Sequence, residues 1–236
     1  MTASFRRRAP GAWLVTGGAS GFGKTYASRL AAMGHDVAEA GSVEAAAAAT
    51  RARARVRHVI HCAGVLRVGG AVEMPASDYA LMIGVNLLGS IHVARAWVPE
   101  LARAEGGRAT LLLVSSVAGL RGFPELAGYS ASKHGVIGFA RALRDELAGA
   151  PVDVKVLCPP PGDTPMVRSL PRLPPIYRLS RMFTADEVVS ASIAGLEGRG
   201  FLQLVDPKSR LTRIVDAIAP RVVDLYIQRA TRAGRG

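Results

Sequence analysis

The segment Ala12-Trp-Leu-Val-Thr-Gly-Gly-Ala-Ser-Gly-Phe-Gly-Lys24 indicates the fold of this 236-residue chain. Its apolar start predicts a buried strand, its glycines predict a tight turn, and a helical pattern follows from Lys24 to Met33. Glycines at such a turn let backbone amides approach a phosphate at the helix N-terminus. Because a tight turn also needs glycine for purely steric reasons, the loop favours nucleotide binding without establishing it.

The alternation of strands and helices continues along the chain. Further strands are predicted at 35–40, 56–62, 110–114, 152–157 and 201–205, and helices at 42–55, 77–104, 129–148 and 184–197. This order predicts one α/β domain with a doubly wound parallel sheet of the Rossmann type, which binds ligands at the carboxyl ends of its strands. We assign 11–208 to this dinucleotide-binding and catalytic domain, 1–10 to a flexible basic arm, and 162–183 to a substrate loop.

The composition is that of a globular protein, with 49% hydrophobic and 20% charged residues and a formal net charge of +12. The basic residues are nearly all arginines, scattered among alanines and without interleaved aromatic residues for base stacking. No helix-turn-helix, zinc-finger or RNA-binding signature accompanies them. We therefore expect no nucleic-acid partner, and attraction of anionic ligands or acidic lipid surfaces is the better explanation of the charge.

The chain also carries no recognisable targeting segment. No run reaches the roughly 18 uninterrupted apolar residues of a membrane-spanning helix, and residues 1–10 lack the apolar segment of a secretory signal. Cys62 and Cys158 lie in apolar runs, which predicts buried, reduced thiols, and their spacing fits no zinc site. We expect a cytoplasmic protein without a metal ion.

Three further features are typical of catalysis. In Tyr129-Ser-Ala-Ser-Lys133, the i,i+4 spacing on a helix puts the ammonium beside the phenol, and a neighbouring cation lowers a phenol's pKa from about 10. Ser116 follows a predicted strand and can hydrogen-bond a substrate oxygen. Asn86, inside an apolar helix, needs hydrogen-bond partners and fits a structural role as well as a catalytic one. Each feature taken alone also fits an ordinary packing or surface role.

Taken together, these residues resemble the short-chain dehydrogenase/reductase family over residues 11–167. The pattern comprises T-G-x-x-x-G-x-G at 16–23, Ala63-Gly64, Asn86, Ser116 and Y-x-x-x-K at 129–133. The resemblance implies hydride transfer between a nicotinamide dinucleotide and a carbonyl/alcohol pair of a small molecule. It implies that Tyr129 is the acid/base, that Lys133 lowers its pKa and holds the nicotinamide ribose, that Ser116 polarises the carbonyl, and that Asn86 supports a water relay.

The same resemblance implies the positions that contact the cofactor. These are Gly17, Ser20, Gly21, Phe22, Gly23, Ala63, Gly64, Tyr129, Lys133, Pro159 and Thr164. It also implies a homodimer or homotetramer, assembled through the helices at 77–104 and 129–148.

A finer resemblance is to 3-ketodihydrosphingosine reductases. It rests on T-G-G-x-x-G-x-G-K at 16–24, on Cys62-Ala-Gly64, and on Pro159-Pro160 shortly before Asp163-Thr164-Pro165. This resemblance implies reduction of a long-chain 3-keto lipid such as 3-ketosphinganine.

The chain departs from the family pattern after the second predicted strand, where one strand–helix unit is missing. Gly41-Ser42 stands where an acidic residue would bind the ribose hydroxyls or a basic one the 2′-phosphate. Glu39 is placed to serve NAD(H), but the basic balance and the reductase resemblance favour NADP(H). The alternative function is a nucleotide-binding sensor that has lost catalysis, against which the four chemical groups argue.

The tail, residues 209–236, predicts amphipathic helices. Apolar residues recur at helical spacing among arginines, at Leu211, Ile214, Val215 and Ile218 and, after Pro220, at Val222, Val223, Leu225 and Ile227. Docking on the protein's own core or on a sister subunit fits this pattern, and so does peripheral attachment to a membrane.

Overall fold

The computed structural model describes residues 12–32, 37–40, 55–178 and 180–233. Within these ranges, six parallel strands form one sheet in the order β2-β1-β3-β4-β5-β8. They are β1 (Ala12–Thr16), β2 (Val37–Ala40), β3 (Val56–His61), β4 (Ala109–Val114), β5 (Val152–Cys158) and β8 (Leu202–Leu204). Two short strands, β6 (Gly162–Asp163) and β7 (Phe183–Thr184), pair in a separate two-stranded sheet.

The predicted doubly wound parallel sheet is confirmed. The chain runs from β1 outward to β2 and then returns to β3 on the other side of β1, so the strand order reverses at β1. A ligand cleft forms at such a reversal, outside the carboxyl ends of the strands. In the part of the chain that the structure describes, β2 is the one strand beyond β1. The predicted basic arm, Gly41-Ser42 and nearly all of the predicted 42–55 helix lie outside the described residues.

Nine α-helices are present in the described ranges. They are α1 (Gly21–Ala32), α2 (Ala76–Met82), α3 (Gly89–Leu101), α4 (Ala127–Glu146), α5 (Pro165–Arg168), α6 (Pro175–Arg178), α7 (Ala185–Leu196), α8 (Pro207–Ile218) and α9 (Pro220–Ala233). A π-helical segment, Ile83–Leu88, joins α2 to α3, so the helix predicted at 77–104 is interrupted and ends at Leu101, shortly after Pro99. Residues 162–183 are predicted as a loop, but they contain the short helices α5 and α6. Each of these helices begins at a proline, a residue that suits the first position of a helix. The short strands β6 and β7 lie at the two ends of this stretch.

Both faces of the sheet are covered, which explains the near-continuous apolar runs of β1 and β4. Successive residues of a strand point to opposite faces. Leu14 accordingly packs with side chains of α3 and α4, such as Trp97 and Val136. Trp13 and Val15 pack on the other face, with residues of α1 and α7. The two clusters hold the carboxyl edge of the sheet rigidly between two helical layers.

The helical stretch from Ala76 to Leu101, which includes the π-helical segment, is long and apolar enough to cross a membrane, by length and composition. Its side chains Val93, Trp97 and Leu101 are completely or almost completely buried in the core of the described structure. The apolarity of this helix is therefore used for packing on the sheet.

The tail begins two residues before the predicted position and docks on its own chain. Asp206 caps α8 by accepting a hydrogen bond from the Ser209 amide at 2.9 Å. Val223 and Ile227 of α9 are buried. Arg121, which follows β4, forms ion pairs with Asp216 of α8 and Asp224 of α9. These contacts fix both helices over the carboxyl edge of the sheet.

Candidate active site

The glycine-rich turn after β1 leaves no room for side chains at two positions. Gly17 has a φ of 71°, and a Cβ atom there would lie 2.8 Å from the backbone nitrogen of Ala63. A Cβ atom on Gly23 would lie 2.2 Å from the carbonyl oxygen of Gly17. The loop is therefore folded tightly against the end of β3, with α1 starting at Gly21. This is the cradle that a pyrophosphate needs.

The predicted cofactor residues from distant parts of the chain converge on this loop. The side chain of Thr164 lies 3.7 Å from the position of a Cβ atom on Gly21. The Phe22 ring packs against Gly162, where a Cβ atom would meet it at 2.7 Å. Pro159 accepts a hydrogen bond from the Val117 amide at 3.1 Å, which ties the end of β5 to the turn after β4. Ser20 is exposed at the rim of the loop.

Gly64 lies between the glycine-rich loop and the predicted catalytic residues. A Cβ atom on Gly64 would lie 3.1 Å from Oδ1 of Asn86 and 3.4 Å from Nζ of Lys133. The predicted Ala63-Gly64 dipeptide thus lies directly against both side chains, between them and the glycine turn.

Tyr129 and Lys133 share one face of α4, as their spacing predicts. Both are buried, and the Lys133 Nζ atom lies 5.7 Å from the centroid of the Tyr129 ring. The same ammonium donates a hydrogen bond to the Val114 carbonyl oxygen at 2.9 Å, at the carboxyl end of β4. Lys133 is therefore anchored to the sheet edge as well as placed beside the phenol.

The adjacent serines after β4 have different roles. Ser115 donates its hydroxyl to the Lys133 carbonyl oxygen at 2.9 Å and so fixes α4 to the sheet. Ser116 is in an extended conformation and caps the 3₁₀ turn Val117–Gly119. Its hydroxyl lies near enough to the Tyr129 phenol to lower the pKa of that phenol. Ser116 and Tyr129 thus form a pair of hydroxyls that can act on one substrate oxygen.

The pKa of Tyr129 is raised in this structure and not lowered as predicted, because burial outweighs the effect of a neighbouring cation. Burial raises the pKa of Tyr129 to about 12, against the opposite effect of the Ser116 hydrogen bond, and Cys158 raises it further. Burial also lowers the pKa of Lys133 to about 8, with Cys62 and Cys158 acting in the opposite direction. The cause is desolvation, which disfavours both the phenolate and the ammonium when they are withdrawn from water.

Asn86, in the π-helical segment, has a fully hydrogen-bonded side chain. Its Oδ1 accepts from the Val65 amide at 2.8 Å, and its Nδ2 donates to the Val65 carbonyl oxygen at 3.0 Å and to Ser132 Oγ at 2.9 Å. Ser132 in turn donates to the Tyr129 carbonyl oxygen at 2.8 Å. Asn86 therefore joins the segment after β3 to the helix that carries Tyr129. Sequence reasoning missed Ser132, although it lies inside the Y-x-x-x-K motif.

His61 and the cysteines are packed residues beside the site. A hydrogen bond of 2.6 Å joins His61 Nδ1 to Thr16 Oγ1, and burial, aided by Lys133, lowers the pKa of His61 to about 3, so its ring is neutral. Burial raises the pKa of the Cys62 and Cys158 thiols to about 12. In the part of the chain that the structure describes, no group of three or more His, Cys, Asp and Glu side chains could hold a metal ion.

A cavity of about 550 Å³ opens beside Ser116, between the 3₁₀ turn, α6 and the tail helices. Its largely apolar lining includes Phe123, Ile176, Tyr177, Thr212, Val223 and Ile227. Tyr177 packs in one apolar cluster with Tyr129. The sequence indicated that 162–183 and the tail shape this pocket, but no motif identifies the individual lining residues, because each is selected by tertiary packing.

Comparison with known proteins identifies the family of the chain. The model of the short chain dehydrogenase family matches residues 35–173. The chain is 33% identical over 198 residues to 2-dehydro-3-deoxy-L-rhamnonate dehydrogenase (NAD(+)) of Sphingomonas sp. (strain SKA58), covering 72% of this chain and 79% of that protein. It is 33% identical over 178 residues to the 3-oxoacyl-[acyl-carrier-protein] reductase MabA of Mycobacterium bovis, covering 66% and 71%.

A solved structure shows the same fold. A short chain dehydrogenase from Burkholderia cenocepacia in complex with NADP superposes with a TM-score of 0.79 at 22% identity, covering 92% of this chain and 97% of that one. The chain belongs to the short-chain dehydrogenase family and is an NAD(P)-dependent oxidoreductase.

Proposed function

We propose that this oxidoreductase reduces a ketone on an apolar, lipid-like molecule to a secondary alcohol, with NADP(H) as its preferred cofactor. The observation that carries the proposal is the position of Ser116. Ser116 lies beside the Tyr129 phenol, whose pKa it lowers, and it also lines the cavity beneath the tail helices. A carbonyl held in that cavity against Ser116 would therefore lie next to a proton donor.

The residues present divide the work of the reaction. A bound dihydronicotinamide supplies the hydride. Ser116 orients the carbonyl by donating a hydrogen bond to its oxygen, and Tyr129 delivers a proton to the same oxygen. A phenol with a pKa of about 12 is fully protonated at neutral pH, which suits the direction of reduction. The Lys133 ammonium, 5.7 Å from the ring centroid, stabilises the phenolate that remains.

The proposed substrate class rests on the cavity and on the finer resemblance to 3-ketodihydrosphingosine reductases. The side chains Phe123, Ile176, Val223 and Ile227 give the cavity an apolar lining suited to a hydrocarbon chain. MabA, named as a 3-oxoacyl reductase, is a relative with a 3-keto substrate, whereas the rhamnonate dehydrogenase acts on a sugar acid by its name. A long-chain 3-keto lipid such as 3-ketosphinganine agrees best with the lining.

The proposed cofactor rests on charge. A net charge of +12 favours the more anionic NADPH, and the Burkholderia structure holds NADP. The rhamnonate dehydrogenase is named for NAD(+), so fluorescence titration with NADPH and NADH must compare the two. Tighter binding of NADH would overturn this part of the proposal.

The test is a series of ketones of increasing chain length, assayed with both reduced cofactors in the wild type and in Tyr129→Phe. We expect kcat/KM to rise with chain length, and Tyr129→Phe to lose turnover by about 100-fold or more while it still binds the dinucleotide. Retained turnover in Tyr129→Phe would refute the assignment of the proton donor. The alternative, a sensor, predicts dinucleotide binding without turnover of any ketone by the wild type.

A further inference from the structure

The outward side of α8 and α9 is the most apolar exposed surface of the described structure. We call it the tail surface. Its large apolar side chains are each 50–79% exposed, although both helices are docked on the protein through their other sides. These side chains are Leu211, Ile214 and Ile218 of α8 and Val222, Leu225 and Tyr226 of α9. Four further large apolar residues are similarly exposed in the described ranges, and they lie elsewhere in the chain at Val72, Leu81, Leu88 and Leu173.

The docking of the helices explains why this apolar side faces outward. Arg121 pairs with Asp216 and Asp224 on the inner sides of the two helices, and Val223 and Ile227 are buried beneath them. On α8 the exposed residues Leu211, Ile214 and Ile218 follow the i, i+3, i+7 spacing of one helical stripe, while Thr212 and Asp216 line the cavity. The outward stripe of α8 therefore makes no contact with the core and stays exposed.

The charges of the two helices are segregated in the same way. Asp216 and Asp224 are their only carboxylates, and both are ion-paired with Arg121, although the Asp224 side chain is still 47% exposed. The basic side chains are all exposed, namely Lys208, Arg210, Arg213, Arg221, Arg229 and Arg232. An apolar stripe that is flanked by six exposed cations, and whose two nearby carboxylates are both paired with Arg121, matches the interface of an anionic bilayer. There, apolar side chains enter the acyl boundary and cations contact headgroups.

A second copy of the chain fits this surface less well. A two-fold symmetric interface brings the same patch of both subunits together. The six cations would then face six identical cations, and the half-exposed Asp224, already paired with Arg121, would be too little to compensate them. Like charges opposed across an interface are unfavourable. Charge complementarity therefore selects a lipid surface over self-association.

We propose that the tail surface binds anionic lipid bilayers in the plane of the interface. The inference goes beyond the proposed reaction and does not depend on it. Bilayer contact would place the cavity beneath α8 and α9 next to the membrane, where a lipid-like ketone is most concentrated.

Co-sedimentation of the full chain with vesicles tests the proposal. One set of vesicles contains phosphatidylcholine alone and the other adds phosphatidylserine. The apolar variant is Ile218→Gln with Leu225→Gln, and the charge variant is Arg229→Gln with Arg232→Gln. Since all four side chains are exposed, these variants should fold. Val72→Gln is the matched apolar control, and Arg95→Gln with Arg103→Gln is the matched charge control, because these residues are exposed on other parts of the molecule.

We expect the wild type to sediment with the anionic vesicles only. Each charge removed from the tail surface should weaken binding by about fivefold, so the charge variant should bind at least tenfold more weakly, and the apolar variant should also lose binding. Both controls should bind within about twofold of the wild type, because their positions lie off the proposed interface. Equal losses in the charge control and the charge variant would show that net charge alone drives binding and would overturn the proposal.

Two other outcomes would also overturn it. Unchanged binding by the apolar variant would exclude insertion of the stripe. The second outcome is that the wild type binds neither type of vesicle and that the apolar variant has a lower mass than the wild type in light scattering. This result would show that the tail surface mediates contact between copies of the chain. Since none of these measurements involves turnover, they remain informative even if the proposed ketone reduction fails.

Discussion

The Lys133 Nζ atom lies 5.7 Å from the centroid of the Tyr129 ring and donates a hydrogen bond to the Val114 carbonyl oxygen. This hydrogen bond joins α4, which carries the proposed proton donor Tyr129, to the carboxyl end of the central strand β4. It also has a thermodynamic consequence, because the ammonium is withdrawn from water to make this contact. The active site therefore carries a charge whose burial opposes folding.

Replacing Lys133 with Met should reveal that cost as a dependence of stability on pH. An unfolded lysine titrates near pH ~10.4, whereas the folded pKa is about 8. Below about pH 8 both states are protonated and the penalty on folding is full; above it only the unfolded state holds the proton, so the penalty shrinks. In urea unfolding, the free energy of unfolding of the wild type should therefore rise by about 1 kcal/mol relative to that of the variant between pH 7 and 9.

The two buried thiols do not obscure this comparison, since wild type and variant share them and their effect cancels in the difference. A difference in free energy of unfolding that stays constant from pH 7 to 9 would contradict the burial of a charged Lys133. Turnover should be lost in the variant at every pH.

Gly17→Ala should unfold more easily and lose the dinucleotide. The residue has a φ of 71°, and its new Cβ atom would lie 2.8 Å from the Ala63 nitrogen. We expect a loss of about 1–3 kcal/mol in urea unfolding and no saturable NADPH binding by fluorescence. Gly138→Ala is the matched control, because nothing lies within 4 Å of its Cβ position in α4, and it should gain about 0.5–1 kcal/mol. Normal NADPH affinity in Gly17→Ala would show that the glycine-rich loop is not part of the cofactor site.

Asn86→Ala should be destabilised before any catalytic effect is considered. The change removes three hydrogen bonds and leaves the Val65 amide and carbonyl unpaired, which should cost about 2–4 kcal/mol. Ser132→Ala removes one of those bonds and should cost about 1 kcal/mol. In a double-mutant cycle the two losses should not add. Additive losses would mean that Asn86 and Ser132 stabilise the site independently.

Filling the cavity should change the preference for chain length. Thr212→Trp places a large ring on the side of α8 that lines the cavity, so kcat/KM should fall about tenfold or more for long-chain ketones and change little for short ones. Leu211→Trp, one residue earlier and on the exposed side, should leave both unchanged. An equal effect of Thr212→Trp on short and long ketones would place the hydrocarbon chain elsewhere.

Much of the fold was predictable because it depends on local pattern. Strand and helix periods and the glycine turn after β1 are properties of neighbouring residues. So is the capping box with which Thr184 begins α7. Boundaries were less predictable: the π-helical segment Ile83–Leu88 has no separate signature in an apolar helix, and the short helices at Pro165 and Pro175 form inside a stretch that otherwise indicates a loop.

The residues of the candidate site could be predicted from the sequence, but the pKa shifts of their side chains could not. The order of Asn86, Ser116, Tyr129 and Lys133 follows from the motif pattern, and the parallel sheet brings them to one edge. The direction of the Tyr129 pKa could not be foreseen, because the i,i+4 spacing shows the nearby cation but not the burial that outweighs it.

The sequence by itself determined the alternation of strands and helices, the family and the residues that can transfer a proton, since periodicity, glycine sterics and functional groups are written in the order of residues. Only the tertiary structure decided the contact of Asn86 with Ser132, the cavity beside Ser116 and the outward apolar side of the tail. Each of these depends on burial and on contacts between residues far apart in the chain, which no local pattern records.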